Sequence, residues 1–188
     1  MPPCEAFTPE PRLAPRPPVE SGAEGWNEKD CGVGLAHVGA LVGTLVPGCG
    51  GRRARALVRE ILMKAGVGAE DVSDAEVIVA ELTANVERHA AEPYEVRVIS
   101  VADVPIWCEV VDGSPDTEKV EVSLQRLRAQ GTTDVPFLAE DTLAENGRGL
   151  LLTYRLSGGR CAVYATTTSS TGTPGKAVGF ALAVGGRG

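Results

Sequence analysis

The chain lacks an excess of positive charge, a long apolar run and an internal repeat. Its 188 residues include 18 lysines and arginines against 25 aspartates and glutamates, which gives a net charge of −7. Surfaces that bind nucleic acids or anionic membranes need clustered positive charge. No apolar run reaches the roughly 18 residues of a membrane-spanning helix. We therefore expect no direct contact with nucleic acid and no association with a membrane.

The cysteines also lack a pattern that would indicate zinc or disulfides. Their number is odd and no two form a Cys-x-x-Cys pair, whereas zinc sites and disulfide scaffolds need closer spacing. The sequence opens with Pro2 and Pro3 rather than with the basic and then apolar pattern of a signal peptide. These observations predict a cytoplasmic protein with reduced thiols at Cys4, Cys31, Cys49, Cys108 and Cys161.

The length fits one domain preceded by a tail, since domains usually have about 100–150 residues. Prolines concentrate near the start of the chain, where apolar periodicity is weak. Such composition is typical of a mobile, partly extended segment. The sequence therefore predicts a proline-rich tail over residues 1–33 and one domain over residues 34–188.

Helices precede most of the strands in the predicted domain. Ser73 and Glu76 have capping-box spacing and place Asp74 in the first turn of a long helix, which cannot continue past Pro93. This order favours an α+β sandwich over a parallel α/β sheet. The predicted strands cover residues 37–46, 94–100, 106–111, 160–168 and 176–184, and the predicted helices cover 52–64, 74–92, 120–129 and 149–156.

Four polar residues lie on one face of the long predicted helix. Glu81, Asn85, Arg88 and His89 stand at positions i, i+4, i+7 and i+8. An Asn oxygen suits Mg²⁺, which takes oxygen ligands and shares them with phosphates. A nearby Glu can accept a proton from an attacking hydroxyl or water. A solvated polar face has the same spacing, and for this segment alone it is the commoner explanation.

Two later segments add an acid and glycines. Asp112 closes an apolar run and is followed by Gly113, so its carboxylate can accept a ligand N–H where the backbone approaches closely. Gly147, Arg148 and Gly149 precede an apolar stretch, where a helix N-terminus would direct backbone N–H groups at phosphate. Each segment alone is equally consistent with a plain turn or a glycine-flanked loop.

Taken in order, the segments at residues 74–90, 111–115 and 147–152 resemble the ATP-binding domain of the gyrase, histidine-kinase and chaperone superfamily. Within it the chain is most similar to the stand-alone anti-sigma-factor serine kinases that are abundant in actinobacteria. The resemblance covers about residues 37–184. Its most specific part is the Glu-x-x-x-Asn-x-x-Arg-His spacing.

The resemblance implies a Bergerat-type fold, a two-layer α/β sandwich with helices on one face of a mixed, mostly antiparallel sheet. It implies ATP and Mg²⁺ as ligands, with a lid at about residues 114–146. Asn85 would bind Mg²⁺, Glu81 would be the general base, and Asp112 would accept the adenine amino group. The remaining predicted nucleotide contacts are Arg88, His89, Ser114, Gly147, Arg148, Gly149, Leu150 and Thr166, the last chosen from the three threonines at 166–168.

Two features depart from the family pattern. Ser114 occupies the place where the acid motif usually has glycine, and the lid of about 33 residues is long and contains a predicted helix. The first functional hypothesis is an anti-sigma factor that binds a sigma factor and phosphorylates a serine of an anti-sigma-factor antagonist protein. The resemblance also suggests a homodimer.

The second hypothesis is a non-catalytic module that binds nucleotide and a protein partner. A third, the ATP domain of a two-component histidine kinase, fits less well. Such a chain needs a pair of dimerisation helices that carries the phosphorylated histidine, and His37 and His89 are the only histidines.

Overall fold

A computed structural model describes residues 38–130 and 148–183. The predicted tail, the second half of the predicted lid and Gly147 lie outside these residues. Within them the chain forms β1 (Val38–Leu45), α1 (Gly50–Lys64), α2 (Ala69–His89), β2 (Tyr94–Val101), β3 (Val104–Asp112), α3 (Glu118–Gln130), α4 (Arg148–Leu156), β4 (Cys161–Thr167) and β5 (Pro174–Ala181).

The strands form one sheet in the order β1-β2-β3-β5-β4. All four described pairings are antiparallel, where the sequence predicted a mixed and mostly antiparallel sheet. The hairpin of β4 and β5 folds back so that β5 lies beside β3, which places Asp112 directly opposite Lys176. The predicted fold class, an α+β sandwich of the Bergerat type, is confirmed.

Alternation along β2 separates the two faces of the sheet. Tyr94, Val96 and Val98 are buried in a core shared with the helices, whereas Glu95 and Arg97 occupy the opposite face. All four helices contribute apolar side chains to this core, including Leu124 of α3 and Leu150 of α4. The core therefore lies between one sheet face and the helix layer.

The start of α2 differs from the prediction. The helix begins at Ala69 with Gly68 at its N-cap, so the capping box predicted at Ser73 was wrong and Ser73 lies inside the helix. Glu70 and Asp71 occupy the first turn, where negative charge stabilises a helix N-terminus. The longer helix still presents the predicted polar positions near its C-terminal end.

Two of the cysteines are buried. Cys108 and Cys161 lie in β3 and β4 and belong to the core. Burial raises the pKa of both thiols, and for Cys108 the charge of Glu109 adds to the effect. Since the thiolate is the reactive form, neither side chain is a ready nucleophile. No helix in the described parts of the chain is long and apolar enough to cross a membrane.

Candidate functional site

A cavity of about 540 Å³ opens between the helix layer and the end of the sheet. Helix α2 lines it with Asn85 and His89, strand β3 with Asp112, and the first turns of α3 with Lys119. Its volume is within the range of small-molecule sites, about 300–1,000 Å³. Apolar side chains complete the walls: Leu82, Val86, Val110, Val120, Leu150 and Val178.

Asp112 is the deeply buried acid of this cavity, with no exposed surface. Its Oδ1 atom accepts a hydrogen bond from the Ser114 backbone N–H at 2.8 Å and another from the Lys176 ammonium at 2.8 Å. Its Oδ2 atom is buried and has no hydrogen-bond partner among the described residues. Buried polar atoms are nearly always bonded in folded proteins. Oδ2 is therefore an acceptor suited to an N–H donor of a ligand.

The turn after Asp112 is fixed to the loop between α2 and β2. The backbone N–H of Gly113 donates to the Ala91 carbonyl at 2.8 Å, and the Ala91 N–H donates to Ser114 Oγ at 2.8 Å. A Cβ on Gly113 would collide with the carbonyl group of Glu92. Ser114, the departure from the family pattern, thus has a structural role in addition to lining the cavity.

Lys176 is a site residue that the sequence did not indicate. Its Nζ atom lies 2.8 Å from Asp112 Oδ1 and 3.3 Å from the Ser114 carbonyl oxygen, and its side chain is only 12% exposed. The signal in the sequence is a single lysine within an otherwise apolar strand. Its position beside Asp112 depends on the pairing of β3 with β5, two strands separated by more than 60 residues along the chain.

The N-terminus of α4 contacts the polar face of α2 through Gly149. A Cβ placed on Gly149 would lie 3.0 Å from Asn85 Nδ2 and 3.0 Å from Glu81 Oε2. The absence of a side chain lets the two elements approach this closely. The first turn of a helix carries N–H groups without intrahelical partners and favours anions. A carboxylate, a carboxamide and an anion-binding helix end therefore meet at one point.

The structure brings together most of the predicted residues. Asn85, His89, Asp112, Ser114 and Leu150 line the cavity, and Glu81 and Gly149 lie beside Asn85. Arg88 and Arg148 are exposed and are not among the residues that line the cavity. The helix predicted at residues 120–129 is present as α3, anchored by buried Leu124 and Leu127, and its first two turns line the cavity. The role of residues 114–146 as a lid stays a prediction.

Thr166 lies on the face of the sheet opposite the cavity. Arg97 Nη1 donates to Thr166 Oγ1 at 3.4 Å, and Arg97 also bonds Glu95 on that face. Strand alternation explains the result, because Thr166 points away from the helix layer. Thr168 follows at the end of β4, where a Cβ on Gly175 would lie 3.5 Å from Thr168 Cγ2 and would collide with the Asp112 carbonyl oxygen.

A buried charge network holds the opposite face to the loop between β4 and β5. Glu95 accepts hydrogen bonds from Ser169 N–H at 3.0 Å, from Ser170 N–H at 2.7 Å and from Arg97 Nη2 at 2.8 Å. Burial alone would raise the pKa of Glu95, but these hydrogen bonds outweigh it and hold the pKa below its usual 4.5. The network fixes the loop through an ionised carboxylate.

No group of three or more His, Cys, Asp or Glu side chains that could hold a metal ion occurs within residues 38–130 and 148–183. A metal that takes most of its ligands from substrate and water needs fewer protein ligands than such a cluster provides. A metal site here would therefore depend on few side chains.

Comparison with known proteins identifies a sequence family. The model of the histidine kinase-like ATPase domain matches residues 51–167, which is more than half of the chain. No curated protein matches the sequence. A chain in the crystal structure of the SiaB–SiaC complex from Pseudomonas aeruginosa has a similar fold, with a TM-score of 0.52 and 14% sequence identity. The similarity covers 76% of this chain and 89% of that one.

Proposed function

Because the chain belongs to the histidine kinase-like ATPase family, which binds ATP, we propose that it transfers the terminal phosphoryl group of ATP to a serine of a protein substrate. The observation that carries this proposal is the meeting of Glu81 and Asn85 at Gly149, in the first turn of α4. Phosphoryl transfer depends mainly on positioning and charge stabilisation. A general base, a metal ligand and a helix N-terminus at one place meet those needs.

The adenine would lie at the Asp112 end of the cavity. The buried Oδ2 atom has no hydrogen-bond partner within the described ranges, and an exocyclic amino group supplies the N–H that it needs. The apolar walls, among them Val110 and Val178, suit a flat base. The residues present thus fit the nucleotide at this end, and the fit depends on an atom that is otherwise unsatisfied.

The phosphates would lie at the Glu81 end. The Asn85 side-chain oxygen would hold Mg²⁺, with the phosphates supplying further ligands, and Mg²⁺ when bound neutralises charge on the phosphate oxygens. The α4 N-terminus and Arg148 would contact the same phosphates. Glu81 would take the proton of the serine hydroxyl as its oxygen bonds to the γ-phosphorus. The bond from that phosphorus to the bridging oxygen breaks, and ADP leaves with the electron pair.

The partner assignment extends the proposal from chemistry to regulation. The substrate would be an anti-sigma-factor antagonist, and its phosphorylation would leave this protein, as a cytoplasmic homodimer, bound to a sigma factor. The solved chain of similar fold is itself part of a two-protein complex, which supports a protein partner. The family resemblance of the three sequence segments supports the sigma-factor assignment.

One observation favours a second function. Glu81 lies beside Asn85 but is not among the residues that line the cavity. A module that binds nucleotide and a partner without transferring phosphate needs no general base in the cavity. This second function predicts that ATP raises the melting temperature while no phosphorylated product forms.

The test compares Glu81→Gln with wild type and with Glu70→Gln. Glu70 lies on the same helix but is exposed near its other end, so its substitution controls for loss of one charge on α2. With ATP labelled at the γ-phosphate and candidate antagonists, we expect Glu81→Gln to lose about 100-fold or more in transfer rate. Its affinity for ATP should change less than about threefold, because proton transfer contributes to the reaction and little to binding.

Two results would decide against catalysis by Glu81. Equal transfer rates in wild type and Glu81→Gln would remove the general-base role. A wild type that binds ATP and phosphorylates none of the antagonists would leave the binding module as the function.

A further inference from the structure

The pairing of Lys176 with Asp112 adds a hydrogen-bond donor to the end of the cavity that would hold the base. We propose that Lys176 is a specificity-determining residue that donates a hydrogen bond directly to ring nitrogen N1 of adenine. This inference rests on the proposed ATP site and deepens it. It concerns the base, whereas the phosphoryl-transfer proposal concerns Glu81 at the other end.

The Lys176–Asp112 pair has hydrogen-bonding groups left over for a ligand. A lysine ammonium has three N–H donors. Two are directed at Asp112 Oδ1, at 2.8 Å, and at the Ser114 carbonyl oxygen, at 3.3 Å. Lys176 is one of the residues that line the cavity, so its third N–H is the donor left for a ligand. Asp112 Oδ1 already accepts two hydrogen bonds, and Oδ2 accepts none from the part of the chain that the structure describes. The pair therefore presents one acceptor and one donor to a ligand.

The donor of Lys176 and the acceptor of Asp112 are complementary to one edge of adenine. The Watson–Crick edge of adenine has one donor, the exocyclic amine, and one adjacent acceptor, N1. The amine matches Asp112 Oδ2 and N1 matches the Lys176 ammonium. An acid alone would read only the amine. With the lysine beside it, the site reads two adjacent atoms and fixes the base in its plane.

The Lys176 ammonium is held in position before a ligand binds. The Lys176 side chain is 12% exposed, and its ammonium is held by two acceptors on the Asp112–Ser114 turn. That turn is itself bonded to Ala91 of the neighbouring loop. A donor fixed before the ligand arrives loses little freedom on binding. Lys176 is thus fixed at the base site by its hydrogen bonds, unlike a flexible lysine on the protein surface.

The experiment uses 1-deaza-ATP, in which a C–H group replaces N1 and the amino group is retained. Calorimetric titrations with Mg²⁺ compare it with ATP on wild type, Lys176→Met and Lys64→Met. Lys64 is exposed at the end of α1 and pairs with Glu60, so its substitution removes the same charge away from the cavity. We expect wild type and Lys64→Met to prefer ATP at least about tenfold, since hydrogen bonds from charged donors are the stronger kind.

Lys176→Met should bind both nucleotides with equal, weakened affinity. If Lys176 only neutralised the charge of Asp112, its substitution would weaken the binding of both nucleotides alike. Wild type would then bind ATP and 1-deaza-ATP with equal affinity. Equal binding of the two nucleotides by wild type would overturn the inference, as would an unchanged preference in Lys176→Met. The wild-type comparison stands even where Lys176→Met does not fold. Loss of phosphoryl transfer with the preference intact would remove only the kinase proposal.

Discussion

Substitution of Gly149 by alanine tests the contact between α4 and the polar face of α2. The new Cβ would lie 3.0 Å from Asn85 Nδ2 and from Glu81 Oε2, so both side chains must move by a few tenths of an ångström. Gly51 offers a matched control. It is the second residue of α1 as Gly149 is of α4, and a Cβ there would meet no atom of residues 38–130 or 148–183 within 4 Å.

The magnitudes separate stability from function. Replacing glycine by alanine within a helix stabilises a protein by roughly 0.5–1 kcal/mol. Moving two side chains off their preferred rotamers costs about 0.5–1.5 kcal/mol each. Gly51→Ala should therefore be more stable than wild type by about 0.5–1 kcal/mol. Gly149→Ala should be no more stable than wild type and should lose about 1 kcal/mol or more relative to Gly51→Ala.

Function should respond more strongly. A small displacement of positioned groups can reduce a rate by about 10²-fold, so we expect Gly149→Ala to lose at least about tenfold in affinity for ATP with Mg²⁺ or in transfer rate. Urea unfolding and calorimetric titration give the two quantities. A Gly149→Ala protein that gains as much stability as Gly51→Ala and binds ATP like wild type would refute the close approach of Glu81 and Asn85 to α4.

Two further substitutions test the framework around the cavity. Because the folded-state pKa of Glu95 is lowered, its stabilising contribution is complete above its usual pKa of 4.5 and is lost as the pH falls through the folded value. Glu95→Gln should thus unfold with about 3 kcal/mol less free energy at neutral pH. In urea titrations at several pH values, the difference in unfolding free energy between Glu95→Gln and wild type should narrow below pH 4.5. A constant difference would contradict the stabilising role of the ionised Glu95. Gly113→Ala should lose about 1–3 kcal/mol, since its Cβ meets the Glu92 backbone; equal urea midpoints for variant and wild type would count against that contact.

Local signals were sufficient for most elements of the fold. Apolar spacing predicted the helices and strands to within a few residues, and the prediction failed at the start of α2. There the Ser73 and Glu76 pair has the spacing of a cap, yet the helix continues past it to Gly68. A capping box is a local preference, and the acidic residues ahead of it support an earlier start.

The site shows where local signals end. The spacing of Glu81 and Asn85 predicted a shared helix face, because helix geometry fixes neighbours four residues apart. The positions of Lys176 and Thr166 depend on the pairing of strands that are distant from each other in the sequence. A one-residue change of register moves every side chain to the other face. The sequence alone therefore could not show that Lys176 faces the cavity and that Thr166 faces Arg97.

A crystal structure with a non-hydrolysable ATP analogue and Mg²⁺ would show both ends of the proposed nucleotide site at once. We expect the base in the cavity between α2 and α3, with its amino nitrogen about 2.7–3.2 Å from Asp112 Oδ2. The phosphates should lie at the α4 N-terminus beside Asn85. A base bound outside the cavity, or a bound nucleotide that leaves Asp112 Oδ2 without a partner, would show that this cavity is not the ATP site.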